Sequence, residues 1–282
     1  MHRGKTNVNM IWPHFSKESP CPACKHHDWQ CRQGEKMFVC MRVESKRPTK
    51  SGGWYHFYDE EHPYIPQRPA NHSIPSVVDL GAMLTRWRMN TSSTQLKSLS
   101  GQLGVTVFSL QMLGCCWADK HKAWAFPMFS ADRKIIGIRL RNNEGRKWAV
   151  TGSRGGLFMP AFPHRPDTIF LPEGPTDTAA LISMGFYAWG RPNCMAGNEL
   201  IKEAIKIFNI RKAVIVSDND ELKTVGDKEQ RPGLIGAKKL KSEIGVKSVI
   251  FIPPTKDIRD YLKNGATREM VMTIINKKVW TV

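Results

Sequence analysis

Several hydrophobic patterns follow one another along the 282 residues. The first sixty positions are aromatic and turn-rich, and they run into Glu61-His-Pro-Tyr-Ile-Pro-Gln-Arg-Pro-Ala-Asn-His-Ser73, where three prolines predict a linker. From Pro75 to about Leu113 apolar residues recur at helical intervals: Val78, Met83, Leu84 and Trp87, then Leu96, Leu99 and Leu103, then Phe108, Leu110 and Leu113. The piece QLGVTVFSLQMLG predicts two short helices around a glycine turn. That arrangement serves a helix-turn-helix DNA reader and any small helical packing unit alike.

A strand pattern comes next. In KIIGIRLR, Ile136, Ile138 and Leu140 alternate with Gly137, Arg139 and Arg141, so one face of the predicted strand is apolar and the other basic. NNEG then reads as a hairpin turn and RKWAV as the return strand. Residues 168–276 alternate strand-like TIFLP, FYAW, KAVIVS and SVIFI with helix-like TDTAALISM, ELIKEAIKIF, GLIGAKKLKSEI and a last helix from Arg268. Such a rhythm predicts an α/β domain with a mostly parallel sheet. The expected organisation is a multidomain α/β chain: residues 1–60, a linker over 61–75, an α+β lobe over 76–166 and the α/β domain over 167–282.

Composition narrows the class of partner. No run of roughly 18 apolar residues occurs, and Met1-His-Arg-Gly-Lys lacks the apolar stretch of a signal peptide, so a cytoplasmic protein without membrane association is expected. Lys and Arg number 42 against 25 Asp and Glu, a formal net charge of +17. The excess is uneven, since residues 76–165 hold 13 basic and four acidic side chains. A polyanionic partner is implied, because each phosphate neutralised by Lys or Arg releases condensed counterions.

Four of the seven cysteines, Cys21, Cys24, Cys31 and Cys40, fall within the first forty residues. In a cytosolic protein such clustering points to a metal. The Cys21-x2-Cys24 turn aims two thiolates at one tetrahedral ion, and two later cysteines complete a Zn²⁺ site, with His26 and His27 as rivals for the place given to Cys31. The spacing lacks the compact multi-cysteine run of ferredoxins. A closed site of this kind is structural, and its zinc would contribute the folding energy of a very small domain. Nearby Trp54, Tyr55, Phe57 and Tyr58, with Lys46, Arg47 and Lys50, suit base stacking or the domain's own core. Cys115, Cys116 and Cys194 have no partner spacing and read as small apolar residues.

Carboxylates mark the α/β segment. Thr168-Ile-Phe-Leu-Pro delivers Glu173-Gly174-Pro-Thr-Asp177 into a helix, and Lys212-Ala-Val-Ile-Val-Ser delivers Asp218-Asn-Asp220. Both sets lie where parallel strands end, the edge at which open α/β sheets place ligands. Asp218 and Asp220 can hold a hard cation through oxygen, Gly174 lets the backbone turn beside Glu173, and Asp177 reads as a helix-capping acid or a catalytic one.

Glu-Gly at one strand end, Asp-x-Asp at the next, and then a helix bearing Gly233, Gly236 and Ala237 together resemble the TOPRIM domain of primases, topoisomerases and related nucleases. The tail KDIRDYLKNGA, which holds the further candidate Asp257, resembles the segment closing that domain in phage and plasmid primases. FPMFSADRKIIGIRLRNNEGRKWAVTGSRGGLF resembles the RNA-polymerase-like lobe that precedes it, and the cysteines resemble the primase zinc-binding domain, zinc-ribbon-like in kind. The zinc spacing departs from the usual bacterial pattern, and the basic motifs match only loosely.

The resemblance, to DnaG-type and phage or mobile-element primases, covers nearly the whole chain in order. It implies synthesis of RNA primers on single-stranded DNA from nucleoside triphosphates in a bacterial or phage-infected cell. Mg²⁺, with Mn²⁺ as a substitute, would be held by Asp218 and Asp220, and Glu173 would ligate metal or take the hydroxyl proton. Lys134, Arg139, Arg141, Lys147 and Arg154 are candidates for template and triphosphate phosphates. No GxxxxGK[ST] occurs, so unwinding falls to a replicative helicase acting in trans. A TOPRIM nuclease, using the same acids to cut phosphodiesters, and a non-catalytic single-strand-binding adaptor are the rival readings.

Overall fold

The computed structural model describes residues 12–27, 30–49, 53–59, 78–161, 166–221, 223–225 and 228–282; the expected linker over 61–75 and Lys50 lie outside them. The chain divides into two compact units, one of residues up to Ile74 with Val225–Asp227, the other of the remainder from Pro75 onward.

In the first unit β1 (Arg32–Gln33), β2 (Met37–Cys40) and β3 (Trp54–Phe57) form an antiparallel sheet in that order. Phe38, buried on β2, stacks on His56 at 5.2 Å and packs against Phe15 and Tyr58. Of the four aromatics read as stacking or core residues, Tyr58 therefore joins the core. Phe57 stays exposed, with the Arg47 guanidinium 4.8 Å above its ring.

The second unit opens with three helices whose ends are set by side-chain caps. Asp79 accepts from Ala82 N at 2.9 Å to start α1 (Leu80–Met89), and Ser92 and Gln95 form a capping box at α2 (Ser93–Leu103). Leu96, Leu99 and Leu103 bury one stripe of α2, and Gly104, at φ +69°, turns the chain into α3 (Val107–Met112). The glycine-turn pair packs with Leu110 of α3 fully buried and Phe108 exposed.

An antiparallel sheet follows in the order β4 (Cys116–Ala118), β5 (Ala123–Phe129), β6 (Ile135–Arg141), β7 (Lys147–Ala149). Its register places Cys116, Ala125, Leu140 and Trp148 in one cross-strand row and Trp117, Trp124, Arg141 and Lys147 in the next, so the two rows face opposite ways. Ile138 and Leu140 pack with Leu84 and Trp87 of α1, as the alternation predicts.

The rest is α/β: β8 (Thr168–Leu171), α4 (Gly174–Ser183), α5 (Asn198–Phe208), β9 (Lys212–Val216), the hairpin β10 (Lys223–Val225) and β11 (Lys228–Gln230), α6 (Pro232–Glu243), β12 (Lys247–Phe251), α7 (Ile258–Lys263) and α8 (Arg268–Asn276). β12, β9 and β8 form a parallel sheet in that order. Period-two alternation covers both faces: Phe170, Val214 and Phe251 enter one core, while Ile169, Leu171 and Ile215 enter another with Ile201 and Leu240.

FYAW is not a full strand. It makes isolated bridges, Phe170↔Ala188 on one side and Phe158↔Gly190 on the other, and Phe129↔Leu157 carries the pairing on to β5. The antiparallel and parallel sheets are stitched together through it. One core also runs across the expected boundary at 166/167, joining Leu99, Leu110, Trp124 and Phe126 to Phe170, Val214, Phe251 and Val271. The lobe and the α/β segment together make the second compact unit. Adjacent Cys115 and Cys116 are buried in different cores, as small apolar residues. Among the described residues, no helix is long and apolar enough to cross a membrane.

Candidate functional site

In the first unit the sulfurs of Cys21, Cys24, Cys31 and Cys40 all lie within 4.8 Å of one another, whereas His26 and His27 are exposed and outside the group. Cys24 and Cys31 are 3.7 Å apart and Cys31 and Cys40 3.9 Å. A tetrahedron of thiolates ~2.3 Å from Zn²⁺ has edges of about 3.8 Å, so the four cysteines fit that ion. Met41 N donates to Cys31 Sγ at 3.4 Å, and Arg42 N and Val43 N donate to Cys40 Sγ at 3.4 and 3.3 Å. Such outer donors hold thiolates in place and in charge.

In the second unit the acids gather at the carboxyl edge of the parallel sheet. Glu173 lies two residues beyond β8 and immediately before α4; Gly174, at φ +72°, makes the turn that only glycine takes without strain. Asp218 and Asp220 follow β9, and Gly233 of α6 packs against them: a Cβ there would lie 3.3 Å from Asp220 Oδ2. Asp257 caps α7, accepting from Asp260 N at 2.7 Å, and receives Arg259 Nη2 at 3.3 Å.

Asp177 does not cap α4. It sits within the first turn, 8% exposed, and its Oδ1 has no hydrogen-bond partner. Burial, and then the charges of Asp257 and Asp218, push its carboxyl well above the usual range. The same causes act more weakly on its neighbours. Burial raises Glu173 to about 7 against the pull of Arg191, and raises Asp218 to about 6 with help from Asp257 and Asp220. Mutually repelling carboxylates with an orphaned buried oxygen fit a cation.

Two arginines escaped the sequence reading. Arg191 has no exposed surface; it donates to Glu173 Oε1 at 3.4 Å, Cys194 O at 3.0 Å and Val216 O at 3.3 Å. Arg259 bridges Asp257 and Asp260. No motif announces Arg191, and Arg259 lies within KDIRDYLKNGA without a spacing that singles it out; each is defined by what packs around it.

The five basic candidates separate. Lys147 and Arg141 neighbour each other across β6 and β7, and their charges act on the acids: Lys147 on Glu173, Asp177 and Asp218, and Arg141 in coupling to Asp177. Arg139 shares that face but is only 8% exposed, so it is not the solvated charge that alternation alone predicts. Lys134 lies in the β5–β6 turn paired with Asp132 at 2.8 Å, and Arg154 is exposed in the segment after β7.

No protein-family model and no curated protein matches the chain. Solved structures do. A DnaG catalytic core superposes with a TM-score of 0.54 at 12% identity, covering 71% of this chain and 79% of that one. A DnaG primase catalytic domain bound to single-stranded DNA gives 0.53 at 11%, covering 71% and 78%. The zinc-binding and RNA polymerase domains of the Aquifex aeolicus primase give 0.54 at 13%, covering 71% and 60%. The fold is that of DnaG-type primase catalytic cores, with a four-cysteine cluster in a separate unit.

Proposed function

We propose that the protein is a DNA primase, a nucleotidyltransferase that joins ribonucleotides into short RNA primers on single-stranded DNA. The observation that carries this reading is the gathering of Glu173, Asp177, Asp218 and Asp257 at one sheet edge, within electrostatic reach of Lys147, in a primase-core fold.

Asp218 and Asp220, with Asp177 and Asp257 beside them, would hold Mg²⁺ or Mn²⁺ in a TOPRIM-type site. When bound, the ion shields a triphosphate and lowers the pKa of an attacking hydroxyl. Glu173 is the proton acceptor: its burial brings its pKa to about 7, near the working pH, where a general base is most effective. Arg191 fixes that carboxylate from behind. Lys147 and Arg141 take phosphates of the triphosphate or of the strand. The zinc unit presents Phe57 and Arg47 as a surface for template bases. A replicative helicase in trans supplies the single strand.

The test is incubation with labelled nucleoside triphosphates, Mg²⁺ and single-stranded templates of varied sequence, followed by sizing of products. Template-dependent oligoribonucleotides are expected. Cleavage of DNA without extension would assign the acids to a nuclease, and neither product would leave a binding adaptor.

A further inference from the structure

A concavity of about 870 Å³ opens at the end of the antiparallel sheet, between the β4–β5 connection and the β6–β7 turn. Its volume is that of a small-molecule site. Two half-buried indoles line it from opposite faces of the sheet, Trp117 on β4 and Trp148 on β7, together with Asn143 and Arg146 of the turn. The Arg146 guanidinium lies 5.8 Å from the Trp148 ring centre, so a cationic plane and an indole plane both border the space.

Asn143 is pinned. Trp124 Nε1 donates to its Oδ1 at 3.3 Å and Gln102 Nε2 to its backbone O at 3.1 Å. An indole N–H can only donate, which fixes the amide orientation and leaves the Asn143 nitrogen to donate to a ligand. The lining charges cancel, since Lys122 and Arg146 are matched by Asp119 and Glu144. A triphosphate finds no cationic cradle here, whereas a neutral aromatic ring bearing hydrogen-bond acceptors fits.

We propose that this pocket takes a nucleobase of single-stranded DNA, stacked on Trp148 and outside the acidic site. Only the identification of the strand as a template rests on the primase reading; the pocket's chemistry does not.

The full chain is photocrosslinked to an oligothymidylate carrying 5-iodouracil, and the adducts are mapped by mass spectrometry. Adducts on the peptides bearing Trp117 or Trp148 are expected, and adducts confined to other segments overturn the proposal. Trp148→Ala should weaken binding of plain oligothymidylate about tenfold, with Trp148→Phe close to wild type. The loss should vanish on an abasic oligonucleotide, which keeps the phosphates and lacks the bases. An equal loss on the abasic strand, or binding within twofold of wild type, overturns it. If Trp148→Ala fails to fold, the crosslink map alone decides.

Equilibrium dialysis with free ATP separates the sources. Binding of ATP that depends on Trp148, with oligothymidylate binding unchanged, makes the pocket a mononucleotide site and removes the strand. Primer synthesis is scored separately. Synthesis with adducts elsewhere removes the pocket and keeps the primase reading, whereas adducts at Trp148 without synthesis do the reverse.

Discussion

Arg191 lies wholly inside the protein and reaches Glu173 across the turn that ends β8, with a 3.4 Å ion pair and a parallel bridge between the two backbones. Breaking one side of such a pair strands a buried charge. Arg191→Met should lower the unfolding free energy by about 3–5 kcal/mol, read by urea denaturation. The double variant Arg191→Met/Glu173→Gln should recover part of that loss. An additive double variant would show that the two side chains do not act as a pair.

The three strand-end acids divide the labour. Asp218→Asn and Asp220→Asn keep shape and remove charge, so primer synthesis should slow and need more Mg²⁺. Glu173→Gln should reduce synthesis a hundredfold or more, by the usual order for general acid–base groups, at every Mg²⁺ concentration. A Gln variant with near-native rate would remove Glu173 from the chemistry.

Stability of the metal-free acidic site should fall as pH rises. Glu173 and Asp218 titrate near 7 and 6 when folded, with burial the main cause, and near 4 when unfolded. Between those values the folded state binds more protons than the unfolded one, so the unfolding free energy decreases with rising pH. Melting temperature in Mg²⁺-free buffer should drop from about pH 4.5 to 7.5, Mg²⁺ should restore it most at the upper end, and Glu173→Gln should flatten the slope. A melting temperature that climbs through this window would contradict the assignment.

The purified chain should carry one Zn²⁺ in its cysteine unit. Cys24→Ala should release the ion and unfold the unit of β1, β2 and β3, because metal binding supplies its folding energy. The Pro75-onward unit should retain its melting transition, while template-dependent initiation is lost. Metal analysis and calorimetry on one preparation check both halves.

Because Arg139 is buried, the strand-binding test belongs to Arg141 and Lys147. Replacing both with Ala should flatten the logarithmic salt dependence of single-strand binding by about 1.4, ~0.7 for each lost phosphate contact. An unchanged slope would move the electrostatic footprint to another surface.

Local spacing settled a good deal of this protein. The cysteine intervals, the alternation that buries Ile138 and Leu140, the helix caps, and Glu173 and Asp218 at strand ends all follow from periods of two and 3.6 and from turn chemistry, which are properties of neighbouring residues. Tertiary packing decided the rest. Asp177 has the sequence position of a helix-capping acid, and only the packing of α4 against α7 makes it a buried carboxylate near Asp257. Arg139 reads as solvent-facing until its face of the sheet is covered, and Arg191 is an ordinary arginine until the ends of β8 and β9 close around it. The core shared across residues 166 and 167 was likewise invisible, because a composition shift marks a change of element type and says nothing of which distant faces exclude water together.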